Sequence, residues 1–188
     1  MKTALLPVSA ILVIALTACT PGGGGSGGSP AALTGADCIP GDWTADLDDL
    51  GGQLAAYFVE KGLGEDLTVA VTGSEQATFA ADHTATATDD AVFTFAGSRA
   101  GAPMTMTQTH QGGFTSDWKL TGNTFDFQNF DGQHYSITTT VEINGTTTTL
   151  PVATEDYAND IPITTDCTGD VMTMKPENSP FTTTWHRD

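Results

Sequence analysis

The side chains of this 188-residue chain that could do chemistry are four histidines, three cysteines and one Ser-x-x-Lys run. His83, His110, His134 and His186 are scattered. No two stand at i, i+2 or i+4, so a metal site would need ligands converging from distant segments. Ser116-Asp117-Trp118-Lys119 has the spacing of an activated serine, but it sits in an alternating run that sends Ser and Lys to opposite faces, and its companion motifs are missing. Gly25-Ser26-Gly27 belongs to a glycine run, not to a strand-to-helix elbow. Asp46-x-Asp48-Asp49 has no Gly or closing Glu at EF-hand spacing and reads better as the start of a helix. Neither a metal, a cofactor nor an enzyme activity is expected.

Charge narrows the partners. Six Lys+Arg stand against 23 Asp+Glu, for a formal net charge of −17. Phosphate binding needs a Lys/Arg surface, so nucleic acid is excluded, and a polybasic attachment to anionic lipid is excluded with it. Thirty-three threonines make much of the polar surface neutral hydroxyl. The length suits one domain.

Met1-Lys2-Thr3 is a short basic start, and Ala4 to Leu16 is almost wholly apolar. Thirteen residues span about 20 Å as a helix, short of a ~30 Å hydrocarbon core, so the segment reads as an export signal. Leu16-Thr17-Ala18-Cys19 resembles the lipobox of bacterial lipoproteins. That resemblance implies cleavage after residue 18 and a diacylglycerol on the Cys19 thiol, two acyl chains being enough for stable anchoring. Residues 19–36 continue through Gly22-Gly23-Gly24-Gly25-Ser26-Gly27-Gly28-Ser29, which cannot bury apolar surface. They read as a flexible tether with a reach of roughly 20–25 Å. Cys38 and Cys167 remain. In an exported protein an even pair is most simply one disulfide, and two ligands of a metal site are the alternative, though neither a CxxC nor a His pair lies nearby.

The elements that position these residues follow from periodicity. Asp46 to Gly62 carries Leu47, Leu50, Leu54 and Phe58 on one helical stripe, with acidic residues at its start and two costly glycines, Gly51 and Gly52. From Asp66 the period becomes two. Leu67, Val69 and Val71 alternate with polar or small residues, as do Phe93 and Phe95, Met104 and Met106, Trp118 and Leu120, and Phe125 and Phe127. Tyr135 to Ile143, Met172 to Met174 and Phe181 to Trp185 continue the pattern. Turn signals separate the runs, among them Gly73-Ser74, Gly112-Gly113, Gly122-Asn123, Asn144-Gly145 and Gly169-Asp170. Pro151 to Thr165 breaks the rhythm and reads as a long acidic loop. The expected fold is mainly β, an antiparallel meander of about eight to ten strands closing into a barrel over residues 37–188, with one N-terminal helix packed on it.

Gly41-Asp42-Trp43 after Cys38, the run of strands, and Trp185-His186-Arg187 at the end resemble the lipocalin pattern. The layout is closer still to lipocalin-like lipoproteins of high-GC Gram-positive bacteria, which combine a lipobox, a linker, Cys, Gly-x-Trp, a short helix, a β-meander and Cys-x-Gly-Asp. Cys167-Thr168-Gly169-Asp170 fits that last element. The resemblance implies that Gly41 and Trp43 close the barrel base with Arg187 stacked on the indole. It departs from true lipocalins in placing a helix straight after Trp43.

The function expected is that of an extracytoplasmic, membrane-anchored monomer whose barrel binds a small apolar or amphipathic ligand. Met104, Met106, His110, Trp118, Phe125, Phe127 and Tyr135 are the candidates to line it, with His110 near a strand end beside Gln108. The alternative is a structural or protein-interaction lipoprotein whose barrel is packed solid.

Overall fold

The stripe Leu47, Leu50, Leu54, Phe58 forms a helix, and nearly every alternating run forms a strand. The computed structural model describes residues 32–132, 134–152 and 161–188. The signal 1–18, Cys19 and most of the tether lie outside the described residues, as do residues 153–160 of the acidic segment.

In chain order the elements are β1 (Gly41–Ala45), α1 (Leu47–Glu60), β2 (Glu65–Thr72), β3 (Glu75–Phe79), β4 (Thr84–Asp89), β5 (Val92–Arg99) and β6 (Ala102–Thr121). They continue as β7 (Thr124–Asp131), β8 (Ser136–Ile143), β9 (Thr146–Val152), β10 (Ile163–Thr168), β11 (Val171–Pro176) and β12 (Thr183–Arg187). Among the described residues there are twelve strands against the eight to ten expected: β1, β3, β4, β9 and β10 are strands that the alternating runs do not include, while the Met104 and Trp118 runs are one strand, β6. The loop expected over Pro151 to Thr165 is shorter than that: β9 runs through Val152 and β10 begins at Ile163.

All pairings are antiparallel, but the order is not a simple meander. Eight strands form a ring, β6–β4–β3–β1–β12–β11–β10–β7 and back to β6. Its thinnest seam is β7–β10, with only Ile163↔Phe125 and Thr164↔Thr124 in register. A second sheet, β2–β5–β6–β8–β9, branches from it. The twenty-residue β6 belongs to both: residues up to Gln111 pair with β5 and β8, and those from Gly112 pair with β4 and β7.

Gly112-Gly113 is therefore a corner inside a strand and not the turn expected. A Cβ at Gly112 would lie 1.7 Å from the His134 carbonyl oxygen, and Gly112 has φ +108°, a region closed to most side chains. One at Gly113 would lie 2.5 Å from the Ala87 carbonyl oxygen. Two glycines let β6 bend where two other segments crowd its backbone. His110 accordingly sits inside β6 beside this corner, not at a strand end.

Helix α1 starts at Asp46, whose side chain accepts the Asp49 N–H at 3.0 Å, as its acidic first turn suggested. Leu47, Gly51 and Ala55 are its buried centre, flanked by Leu50, Leu54 and Phe58. Gly51 costs helix propensity but allows contact: a Cβ there would come within 2.8 Å of Val71. Gln53 fastens the helix to the approach of β12, donating to Thr182 O at 2.9 Å and accepting from its N–H at 3.0 Å. The folded unit is entered at Ala32–Thr34, where Thr34 bridges Thr168 and Gly169 N donates to Leu33 O.

Candidate functional site

The inward positions of the ring fall into a packed end and a hollow end. At the packed end Trp43 is fully buried and its Nε1–H donates to Ile39 O at 2.9 Å. Arg187 pairs with it in the β1–β12 register, and its guanidinium carbon stands 4.2 Å from the ring centroid. The guanidinium also donates to three carbonyls: Pro40 O at 2.9 Å, Cys38 O, and Gly169 O at 3.4 Å. Gly41 leaves room for it, since a Cβ there would overlap Arg187 Nη1. Cys38 and Cys167 are joined as a disulfide, Cα–Cα 5.8 Å, so they are not metal ligands. Trp118 and Phe125 stack above this layer at 5.7 Å and 7°, with the Phe79 ring edge-on to both.

The other end holds a cavity of about 280 Å³, just under the ~300–1,000 Å³ usual for small-molecule sites. Its wall is mostly apolar, with the rings of Phe79, Phe114, Phe127, Phe130, Tyr135 and Trp185 supplying much of it. Of the residues expected to line a ligand site, His110, Phe127 and Tyr135 do so. Trp118 and Phe125 do not, being consumed in the packing below. Met104 and Met106 do not either. They lie farther along the same arm of β6 as His110, away from the Gly112 corner, where Met104 packs near Gly64 and Met106 against the core. Parity puts both methionines and His110 on one face of β6; distance along the strand separates them, and only His110, beside the corner, reaches the cavity.

The polar lining residues Glu75, His110 and Tyr135 gather around a buried acid behind the wall. Asp89, buried at the end of β4, accepts the Ala91 N–H at 2.9 Å through one oxygen. Its other oxygen takes the Tyr135 hydroxyl at 3.1 Å and His110 Nδ1 at 3.0 Å. His110 Nε2 meets Gln108 Oε1 at 3.2 Å. Directly across the β3–β4 ladder from Asp89 is Glu75, half-buried and lining the cavity. Burial away from water, and then the neighbouring Asp89 charge, push the Glu75 carboxyl up to about 8. It therefore stays mostly protonated at neutral pH, able to donate a hydrogen bond or, with a suitable partner, to ionise.

Sequence reasoning missed Glu75, Asp89 and Phe114. The signal for the acids was present: Glu75 shares parity with Ala77 and Phe79, and Asp89 with Ala85 and Ala87, so each is an acid on an otherwise apolar face. Among the described residues no group of His, Cys, Asp and Glu is arranged to hold a metal ion, and no helix is long and apolar enough to cross a membrane.

No protein-family model, no curated protein and no solved structure matches this chain. The geometry of the cavity is thus the main guide to what the chain does.

Proposed function

We propose that this chain is an extracytoplasmic lipoprotein, held to the membrane through Cys19, whose lipocalin-like barrel carries a small apolar or amphipathic molecule. The observation that carries the reading is the cavity itself. An interior half filled by Trp43, Trp118 and Phe125 has its remaining half left open among aromatic and aliphatic side chains. Ring closure by eight strands, a Gly-x-Trp strand and an Arg stacked on that Trp support the lipocalin-like assignment. No catalytic role is proposed, and the protein is taken to act as a monomer. The solid packing at the Trp43 end favours the second reading, a structural or interaction lipoprotein with no ligand.

Two experiments test this. Native mass spectrometry of the purified full-length chain is expected to show a co-purified small molecule that leaves on denaturation. Recovery of the bare chain, together with no uptake from a panel of small apolar probes, supports the second reading instead. Cys19→Ser is expected to move the protein from the membrane fraction to the medium, and continued membrane retention refutes lipidation at that residue.

A further inference from the structure

The Glu75 end of the cavity combines three features that one ligand chemistry would satisfy together. Two acids, Glu75 and Asp89, face each other across the β3–β4 ladder. Asp89 is already committed to three donors, Tyr135, His110 and the Ala91 N–H. Glu75, by contrast, makes no hydrogen bond or ion pair among the described residues. The cavity wall also carries aromatic rings, whose faces attract cations.

No lysine or arginine lines the cavity. The described Lys and Arg side chains are Lys61, Arg99, Lys119, Lys175 and Arg187, all outside the lining. The first four are exposed, and Arg187 is engaged with Trp43 at the far end. The titratable groups that face Glu75 are Asp89 on β4, His110 on β6 and Tyr135 just before β8. The wall residues contributed by β7, β10, β11 and β12 are apolar or Thr183.

We propose that this cavity takes a small organic cation, an apolar body bearing an ammonium or quaternary ammonium group, with Glu75 as its counter-ion. This rests on the reading of the cavity as a ligand site and adds the class of ligand. An acid placed inside an apolar wall, opposite a second acid, is costly in the empty protein and is tolerated by protonation. A threonine would serve a neutral ligand equally well without that cost. A cation compensates the Glu75 carboxylate, gains the ring faces, and releases the Glu75 proton to solvent on binding. The acidic net charge of the chain would also concentrate cations near the mouth. One group points the other way: Trp185 Nε1 is buried without a hydrogen-bond partner. That N–H is enclosed in the packing rather than presented on the cavity surface, so it does not select the ligand.

The test compares benzyltrimethylammonium, whose charge does not change with pH, with its uncharged isostere neopentylbenzene, both titrated into the full-length chain. Binding is read by calorimetry and by intrinsic tryptophan fluorescence, to which Trp185 on the cavity wall contributes. At pH 8.5 the cation is expected to bind at least about tenfold tighter than the isostere. Its affinity should rise close to tenfold per pH unit between about pH 6 and 8 and level off above, because each binding event expels one proton. Calorimetric heats that depend on buffer ionisation enthalpy would report that proton. Glu75→Gln, with its fold checked by thermal melt, should abolish both the pH slope and the preference for the cation. If that variant fails to fold, the wild-type slope and the isostere comparison still decide. Isostere binding as tight as the cation at every pH, or cation affinity falling as pH rises, overturns the cation proposal while leaving the apolar-cavity reading standing. Failure of both probes to bind overturns the two together.

Discussion

Replacing Cys38 and Cys167 together by Ala is expected to lower the stability of the folded domain by roughly 4–5 kcal/mol. The melting temperature should fall by about 10–20 °C at the usual scaling for a domain of this size. The bridge joins residues 129 apart in sequence, and closing a loop that long removes much of the unfolded chain's freedom. Its position adds to the effect. Cys38 enters the packed end of the ring just before Ile39 and Trp43, and Cys167 lies on β10, the strand that closes the weak seam with β7. Loss of the bridge therefore loosens the entry of the chain and the seam together. Thermal unfolding followed by near-ultraviolet circular dichroism, with and without reductant, measures this. A drop below about 3 °C in the double variant would show that the packed end holds without the bridge.

Trp43→Ala is expected to cost about 3–5 kcal/mol, the range for deleting a large aromatic from a core. Trp43 is fully buried, and its loss would leave Ile39 O without the indole N–H at 2.9 Å. The larger consequence falls on Arg187. Its guanidinium is held flat against the ring while donating to the carbonyls of Pro40, Cys38 and Gly169, and that sandwich needs the indole as its other face. Trp43→Phe keeps a ring and should recover part of the loss, whereas Arg187→Lys should lose the forked contacts even with Trp43 in place. Equilibrium urea unfolding of the three variants separates these terms. A Trp43→Ala midpoint within error of the parent would mean that the packed end is not a stability centre.

Both predictions concern the part of the molecule that local reading reached best. The helix was legible because Leu47, Leu50, Leu54 and Phe58 form a stripe within one turn-repeat, and the strands because alternation is a property of neighbours. The Cys38–Cys167 bridge follows from an even count of cysteines in a chain whose sequence reads as exported. The contact of Arg187 with Trp43 came from a resemblance and not from periodicity, and the register of β1 on β12 places the two side by side.

The cavity was legible only in fragments. His110, Phe127 and Tyr135 were singled out because they share faces with apolar residues, yet by the same rule Met104, Met106, Trp118 and Phe125 were named with them. Parity says which face a side chain is on. It does not say at what height in the ring it lies, nor whether its neighbours fill the space in front of it. Gly112-Gly113 shows the limit most clearly, since two adjacent glycines between apolar runs signal a turn and a mid-strand corner equally. What distinguishes them is the crowding of His134 O and Ala87 O against β6, contacts made by residues about twenty positions away on either side.

The sequence by itself determined the acidic charge balance, most of the element types and the pairing of the last two cysteines, because each depends on composition or on short-range spacing. Only the tertiary structure decided that the ring is packed at one end and hollow at the other, and that Glu75 and Asp89 meet across a ladder with no lysine or arginine beside the cavity. Those outcomes depend on strand register and on the bend of β6, which are set by long-range packing and close backbone approach rather than by any local pattern.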